Sequence, residues 1–127
     1  MNKNNNLLWE LKKIANIKAQ RDLKSDWYQG SETYLNALIE EVEEVRFELN
    51  SGRKCFLEDE LGDLLWDFVC LIEHLEIENK IDKDKVFSRS VKKYSERVIE
   101  RNKGETWNEV KYRQKVELKK ELQASGK

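Results

Sequence analysis

The sequence predicts an all-α protein, a four-helix-bundle-like domain with an additional C-terminal helix. Three observations carry that expectation. The 127 residues include no proline and only five glycines, so few positions interrupt a helix. Apolar residues recur three and four apart along most of the chain, the period of a helix rather than a strand. The length suits a single domain, expected over residues 1–127, with one real core.

A first helix is expected over about 5–22, with Leu7, Leu8, Leu11, Ile14, Ala15 and Ile17 as its apolar set. The following SDWYQGSE carries turn chemistry, and Ser31 stands where an N-cap would open the second helix. That helix, about 32–50, aligns Leu35, Leu38, Ile39, Val42, Val45 and Leu49 on one stripe and ends at Asn50-Ser51-Gly52. The third, about 55–79, is the most apolar, with Leu57, Leu61, Leu64, Leu65, Phe68, Leu71, Ile72 and Leu75. Asp82 or Asp84 begins a fourth through about 101, carrying Val86, Phe87, Val91, Tyr94, Val98 and Ile99. Asn102-Lys103-Gly104 breaks it, and a polar tail helix follows from Thr106. Low complexity is confined to the asparagine-rich start.

Composition limits the function. Charged residues make up 39% yet nearly cancel, leaving a net charge of −1, so no global attraction to nucleic acid or an anionic membrane is expected. No segment reads as a secretory signal or a bilayer span, and a cytoplasmic location is the expectation. Cys55 and Cys70 fall in one helix, roughly 22 Å apart if it is unbroken, beyond disulfide reach. Both read as buried thiols. His74, the single histidine, has no apparent partner triad and reads as a half-buried helix residue.

The acids are more informative. Residues 38–49 read LIEEVEEVRFEL and residues 57–68 read LEDELGDLLWDF. Glu41 and Glu44 are three apart, as are Glu60 and Asp63, so each pair projects from one side of its helix. Both pairs flank an apolar stripe, where a second helix can reach them, whereas Glu40 and Glu43 turn further away. Two carboxylates about 5 Å apart repel by roughly 3 kcal/mol at an effective dielectric near 20. If the helices pack side by side, four such groups need a cation, and an all-oxygen site suits magnesium or manganese. Gly62, inside the second motif, is expected to allow close approach of a backbone or ligand.

The E-E-x-x-E motif followed by E-L-G-D-L-L resembles the MazG-like all-α nucleoside triphosphate pyrophosphohydrolases, from about Trp27 to Lys111. The resemblance implies hydrolysis of a nucleoside triphosphate between its α and β phosphates. It implies that Glu41, Glu44, Glu60 and Asp63 are magnesium ligands; a carboxylate of the cluster, or Glu40 beside it, is then expected to accept the proton of water. Lys93 and Arg97 match a lysine and arginine four apart that would clamp the triphosphate. Trp107 and Lys111 match a later Trp–Lys pair, and Trp27 matches a tryptophan ahead of the second helix; all three are implied substrate contacts. A homodimer or a dimer of dimers is implied too, and Trp66 and Phe56, lying off the main stripe, suggest a second packing surface.

Departures from the family pattern leave base and sugar preference open. Ser25-Asp26-Trp27-Tyr28 stands where longer relatives carry Cys-Pro before the tryptophan and aspartate after it. ERNKGET replaces a His-Pro segment, the span from Arg97 to Trp107 is shorter, and Asp67 stands where many relatives have an amide. Asp67 is a candidate to support a further ion. Within the class, selectivity for dUTP or dCTP, or action on a phosphoribosyl nucleotide, remains an alternative. A helical interaction module with merely solvated acids is the competing non-enzymatic reading. A di-iron bundle is disfavoured, because such sites want Glu-x-x-His pairs.

Overall fold

A computed structural model describes residues 6–126. The asparagine-rich stretch through residue 5, and with it the first position expected of the first helix, lies outside them. Among the described residues there are five helices and no strand. They are α1 (Leu7–Asp22), α2 (Glu32–Glu48), α3 (Lys54–Ile77), α4 (Lys83–Val98) and α5 (Trp107–Ala124). The all-α expectation and its additional C-terminal helix hold. The chain divides into two compact units, Met1–Lys83 and Asp84–Lys127.

In the first unit α3 packs against both α1 and α2. Its core joins Ala15, Tyr34, Val69 and Cys70, with Leu11, Tyr28, Trp66 and Leu71 against them. Alanines at 15 and 19 are the buried apolar residues of α1. Their short side chains let α1 lie close to α3, while Leu7, Leu8, Ile14 and Ile17 of the expected set are exposed. On α2 the buried aromatic is Tyr34, whereas Leu35, Ile39, Val42 and Leu49 are exposed. The expected stripe of α3 is buried towards its C-terminal half, and Leu61, Leu65 and Phe68 face outward. Trp66 packs against the core rather than forming a second surface, and only Phe56 is exposed as that expectation required. Periodicity finds a helix's apolar side, but three helices cannot cover every such side.

Local chemistry fixes the boundaries. Gly52 adopts φ +78°, a backbone state open to glycine, where α2 turns into α3. Arg53 closes that turn by donating from Nε to Glu48 Oε1 at 3.1 Å. Ser31 occupies the N-cap position of α2, but its side chain makes no cap hydrogen bond. Instead its N–H donates to Glu78 Oε2 at 2.8 Å and its hydroxyl to Glu78 Oε1 at 2.9 Å. The local capping expectation is thus replaced by a tie to the residue just past α3. A methyl group at Gly62 would meet no atom within 4 Å among the described residues, so no other helix of this chain approaches it closely.

The second unit contains α5 and all of α4 beyond Lys83. Thr106 opens α5 with a full capping box, its hydroxyl accepting from the Glu109 N–H at 3.1 Å while Glu109 Oε1 accepts from the Thr106 N–H at 3.2 Å. Val110 is fully buried. Arg113 bonds Glu105 and Glu96, and Arg89 pairs with Glu121.

Candidate active site

The i, i+3 spacing on α2 and α3 produces the convergence it predicts for three of the four acids. One carboxylate oxygen from each of Glu41, Glu60 and Asp63 lies within 4.8 Å of the others. Glu44, one turn further along α2, is exposed and stands outside that set, and Glu40 is exposed too. Glu41 Oε2 is buried and has no hydrogen-bond partner. Burial, a hydrogen bond shared with Glu60, and the charges of Asp63, Glu60 and Asp67 push the Glu41 carboxyl up to about 7. Asp67 is buried one turn beyond Asp63, and burial together with the charges of Asp63 and Glu40 raises its carboxyl as well.

These acids fit a hard divalent cation. Three oxygen donors converge, and no basic side chain is recorded as an ion-pair partner of Glu41, Glu60 or Asp63 among the described residues. The orphaned Glu41 oxygen is a donor waiting for a positive partner. A divalent ion would offset the burial and the neighbouring negative charges that raise the Glu41 carboxyl.

A second buried acid has a different setting. Asp22 Oδ2 lies 2.9 Å from His74 Nε2, and Asp22 also bonds Lys18 and the Tyr34 hydroxyl. Burial pushes the Asp22 carboxyl up, but the hydrogen bonds from Lys18, Tyr34 and His74, with the Lys18 charge, outweigh it and hold it below its ordinary value. His74 is therefore fully buried, not half-buried, and its ring stacks on Tyr28 at 4.3 Å and Tyr34 at 5.3 Å. It has a partner, 52 residues away, that no local motif announces. Cys70 beside it is buried as expected, and burial is the main cause pushing its thiol up to about 12, which leaves no thiolate to act as a nucleophile. Cys55 is exposed, contrary to expectation, because it sits in the first turn of α3, outside the packed half.

Trp27 belongs to this first unit and is half exposed, edge-on to Tyr28 and Tyr34, with the Lys18 ammonium 4.6 Å from its ring. In the second unit Lys93 and Lys111 are exposed, whereas Arg97 is buried. The Arg97 guanidinium lies 5.2 Å from the Tyr94 ring and 5.6 Å from the Trp107 ring, and its Nε donates to Gln114 Oε1 at 2.8 Å. The Lys93–Arg97 and Trp107 matches thus include one real cluster, the buried Arg97 against Trp107. Gln114 escaped the sequence reading, and no spacing signal marks it.

An all-α protein with a carboxylate cluster fit for a divalent cation is the class that fold and site define. The family model of the MazG nucleotide pyrophosphohydrolase domain matches residues 29–102, more than half of the chain, and the chain belongs to that family. No curated protein and no solved structure matches it. The matched span holds Glu41, Glu44, Glu60, Asp63, Lys93 and Arg97, but not Trp27, Trp107, Lys111 or Gln114. The family points to a hydrolase acting on nucleotides, and its members typically use divalent metals. No helix among the described residues is long and apolar enough to cross a membrane.

Proposed function

We propose that the protein is a magnesium-dependent nucleoside triphosphate pyrophosphohydrolase, converting a nucleoside triphosphate and water to a monophosphate and pyrophosphate. The observation that carries this reading is the convergence of Glu41, Glu60 and Asp63 around an unpartnered buried oxygen. When bound, magnesium (or manganese) supplies charge neutralisation for the phosphates and a water of lowered pKa. Glu41, Glu60 and Asp63 hold it, and Glu44 is assigned as a fourth ligand on the family motif. Losing its proton turns Glu41 from a hydrogen-bond donor to Glu60 into a ligand. Glu40, exposed beside the cluster, is the assigned acceptor for the proton of the attacking water. Lys93 and Arg97 are assigned to the phosphates, Arg97 with a planar fork and Lys93 with a point charge. Lys111 is assigned a supporting charge, and Trp107 and Trp27 are assigned to the base, each offering a partly exposed ring face.

Clearing non-standard or surplus nucleotides in the cytoplasm is the role this chemistry suits, carried by residues 1–127 as one functional domain. A homodimer, or a dimer of dimers, is part of the proposal. Leu35, Ile39 and Val42 of α2 and Leu61, Leu65 and Phe68 of α3 are exposed apolar side chains that a second copy would cover. The test is a panel of ribo- and deoxynucleoside triphosphates with magnesium, with the products resolved. Monophosphate plus pyrophosphate is expected; diphosphate plus phosphate, or no turnover with any member, would overturn the proposal.

A further inference from the structure

Buried cations are costly unless an anion or a full set of acceptors compensates them. Between α4 and α5 the part-buried Arg113 meets that requirement with carboxylates, bonding Glu105 at 3.0 and 3.1 Å and Glu96 at 2.9 Å. Arg97 does not. It is only 8% exposed, yet among the described residues no carboxylate is recorded as its partner. Its recorded hydrogen bond runs from Nε to the neutral Gln114 amide, and the ring faces of Tyr94 and Trp107 lie beside its guanidinium carbon. Ring quadrupoles soften the cost of burial, but they do not cancel a full charge.

Gln114 is fitted to this task. Its Oε1 accepts from Arg97 Nε at 2.8 Å, while its Nε2 donates to the Lys93 carbonyl at 3.0 Å and to Glu96 Oε1 at 3.4 Å. A donor on one side and two acceptors on the other require an amide at this position, in this orientation. The same side chain therefore ties down the guanidinium of Arg97 and the main chain of Lys93, the two residues assigned to phosphate. A glutamate would satisfy Arg97 outright, and would oppose the Lys93 carbonyl and Glu96.

We propose that Gln114 is a positioning residue: by holding Arg97 through a neutral amide instead of a carboxylate, it keeps a buried guanidinium oriented and uncompensated for the phosphates of the substrate. This rests on the nucleotide reading above, and its test is chosen to separate the two. Binding of inorganic tripolyphosphate to the full-length protein is measured by calorimetry at several salt concentrations, alongside KM and kcat for the best nucleoside triphosphate. Gln114→Glu is expected to weaken tripolyphosphate binding and raise KM by about tenfold or more, with a smaller change in kcat and a flatter salt dependence. Gln114→Met, which removes the tether but adds no charge, is expected to lose about threefold, a smaller but measurable loss.

Unchanged affinity and salt dependence in Gln114→Glu would overturn the proposal. So would equal losses in the two variants, because a purely structural tie does not distinguish an amide lost from a charge gained. If Gln114→Glu does not fold, Gln114→Met decides alone: a measurable loss of tripolyphosphate affinity supports the proposal, and unchanged affinity overturns it. Should the wild type bind tripolyphosphate in this Gln114-dependent way yet release no pyrophosphate, the reaction assignment fails while the role of Gln114 stands.

Discussion

Asp22 and Glu41 belong to the same unit, and burial drives both carboxyls towards the neutral form, yet they end on opposite sides of their ordinary range. Asp22 faces donors only: Lys18, the Tyr34 hydroxyl and His74 Nε2. Glu41 faces acceptors: Glu60, Asp63 and Asp67. Burial therefore does not distinguish an acid that holds the fold from one that awaits a ligand. The sign of its neighbours does. Arg113 and Arg97 repeat the contrast with charges reversed, the first saturated by glutamates and the second held by an amide.

The contrast breaks most visibly in turnover. Glu41→Gln and Asp63→Asn are each expected to lower pyrophosphate release about a hundredfold or more, because a charge clamp on the transferring phosphates is lost. Metal-free thermal stability should be unchanged or higher, since each change removes repulsion. Near-normal release in both variants would remove the acids from the mechanism. Asp22→Ala should do the reverse. Stranding His74 Nε2 and the Tyr34 hydroxyl in the interior is expected to cost about 3 kcal/mol in denaturant unfolding. A loss below about 1 kcal/mol would mean that the Asp22 network is not fully formed in solution.

The two acids should also titrate stability in opposite directions. With its folded value below the ordinary 3.8, Asp22 contributes stability above about pH 4, and this is lost as pH falls through the folded value. Glu41 runs the other way. Raised from 4.5 to about 7, it binds its proton more tightly when folded, so metal-free stability should decline as pH rises through that window. Melting temperatures of Asp22→Ala and Glu41→Gln against the wild type, scanned from pH 3 to 8, check both signs; matching profiles would erase the distinction.

The smallest expected effect concerns Gly62, beside Asp63. A methyl group there meets open space, so Gly62→Ala should stabilise the helix by about 1 kcal/mol with turnover intact. Lost turnover or a changed oligomeric state would show that a ligand or a second copy fills that space.

Much of this was legible in the residues. Helix existence followed from spacing, because α-helical periodicity is local, and four of the expected starts fall within one residue of the observed ones. Glu41, Glu60 and Asp63 were legible for the same reason: i, i+3 pairs on adjacent helices need only one packing assumption. Asp22 with His74, Ser31 with Glu78 and Arg97 with Gln114 were not, since each pair joins distant positions without a repeating pattern. Glu44 shares its motif with Glu41 but stands exposed outside the cluster, which spacing alone does not resolve. The apolar stripes named the helices' faces without saying which of them three helices would leave uncovered.

Calorimetric titration of magnesium or manganese into the metal-free wild type near pH 7, repeated in buffers of different ionisation enthalpy, tests the cation site most directly. Saturable binding with net proton release is expected, with the release absent and affinity weakened in Glu41→Gln. No binding, or binding with the same proton release in Glu41→Gln, would contradict it.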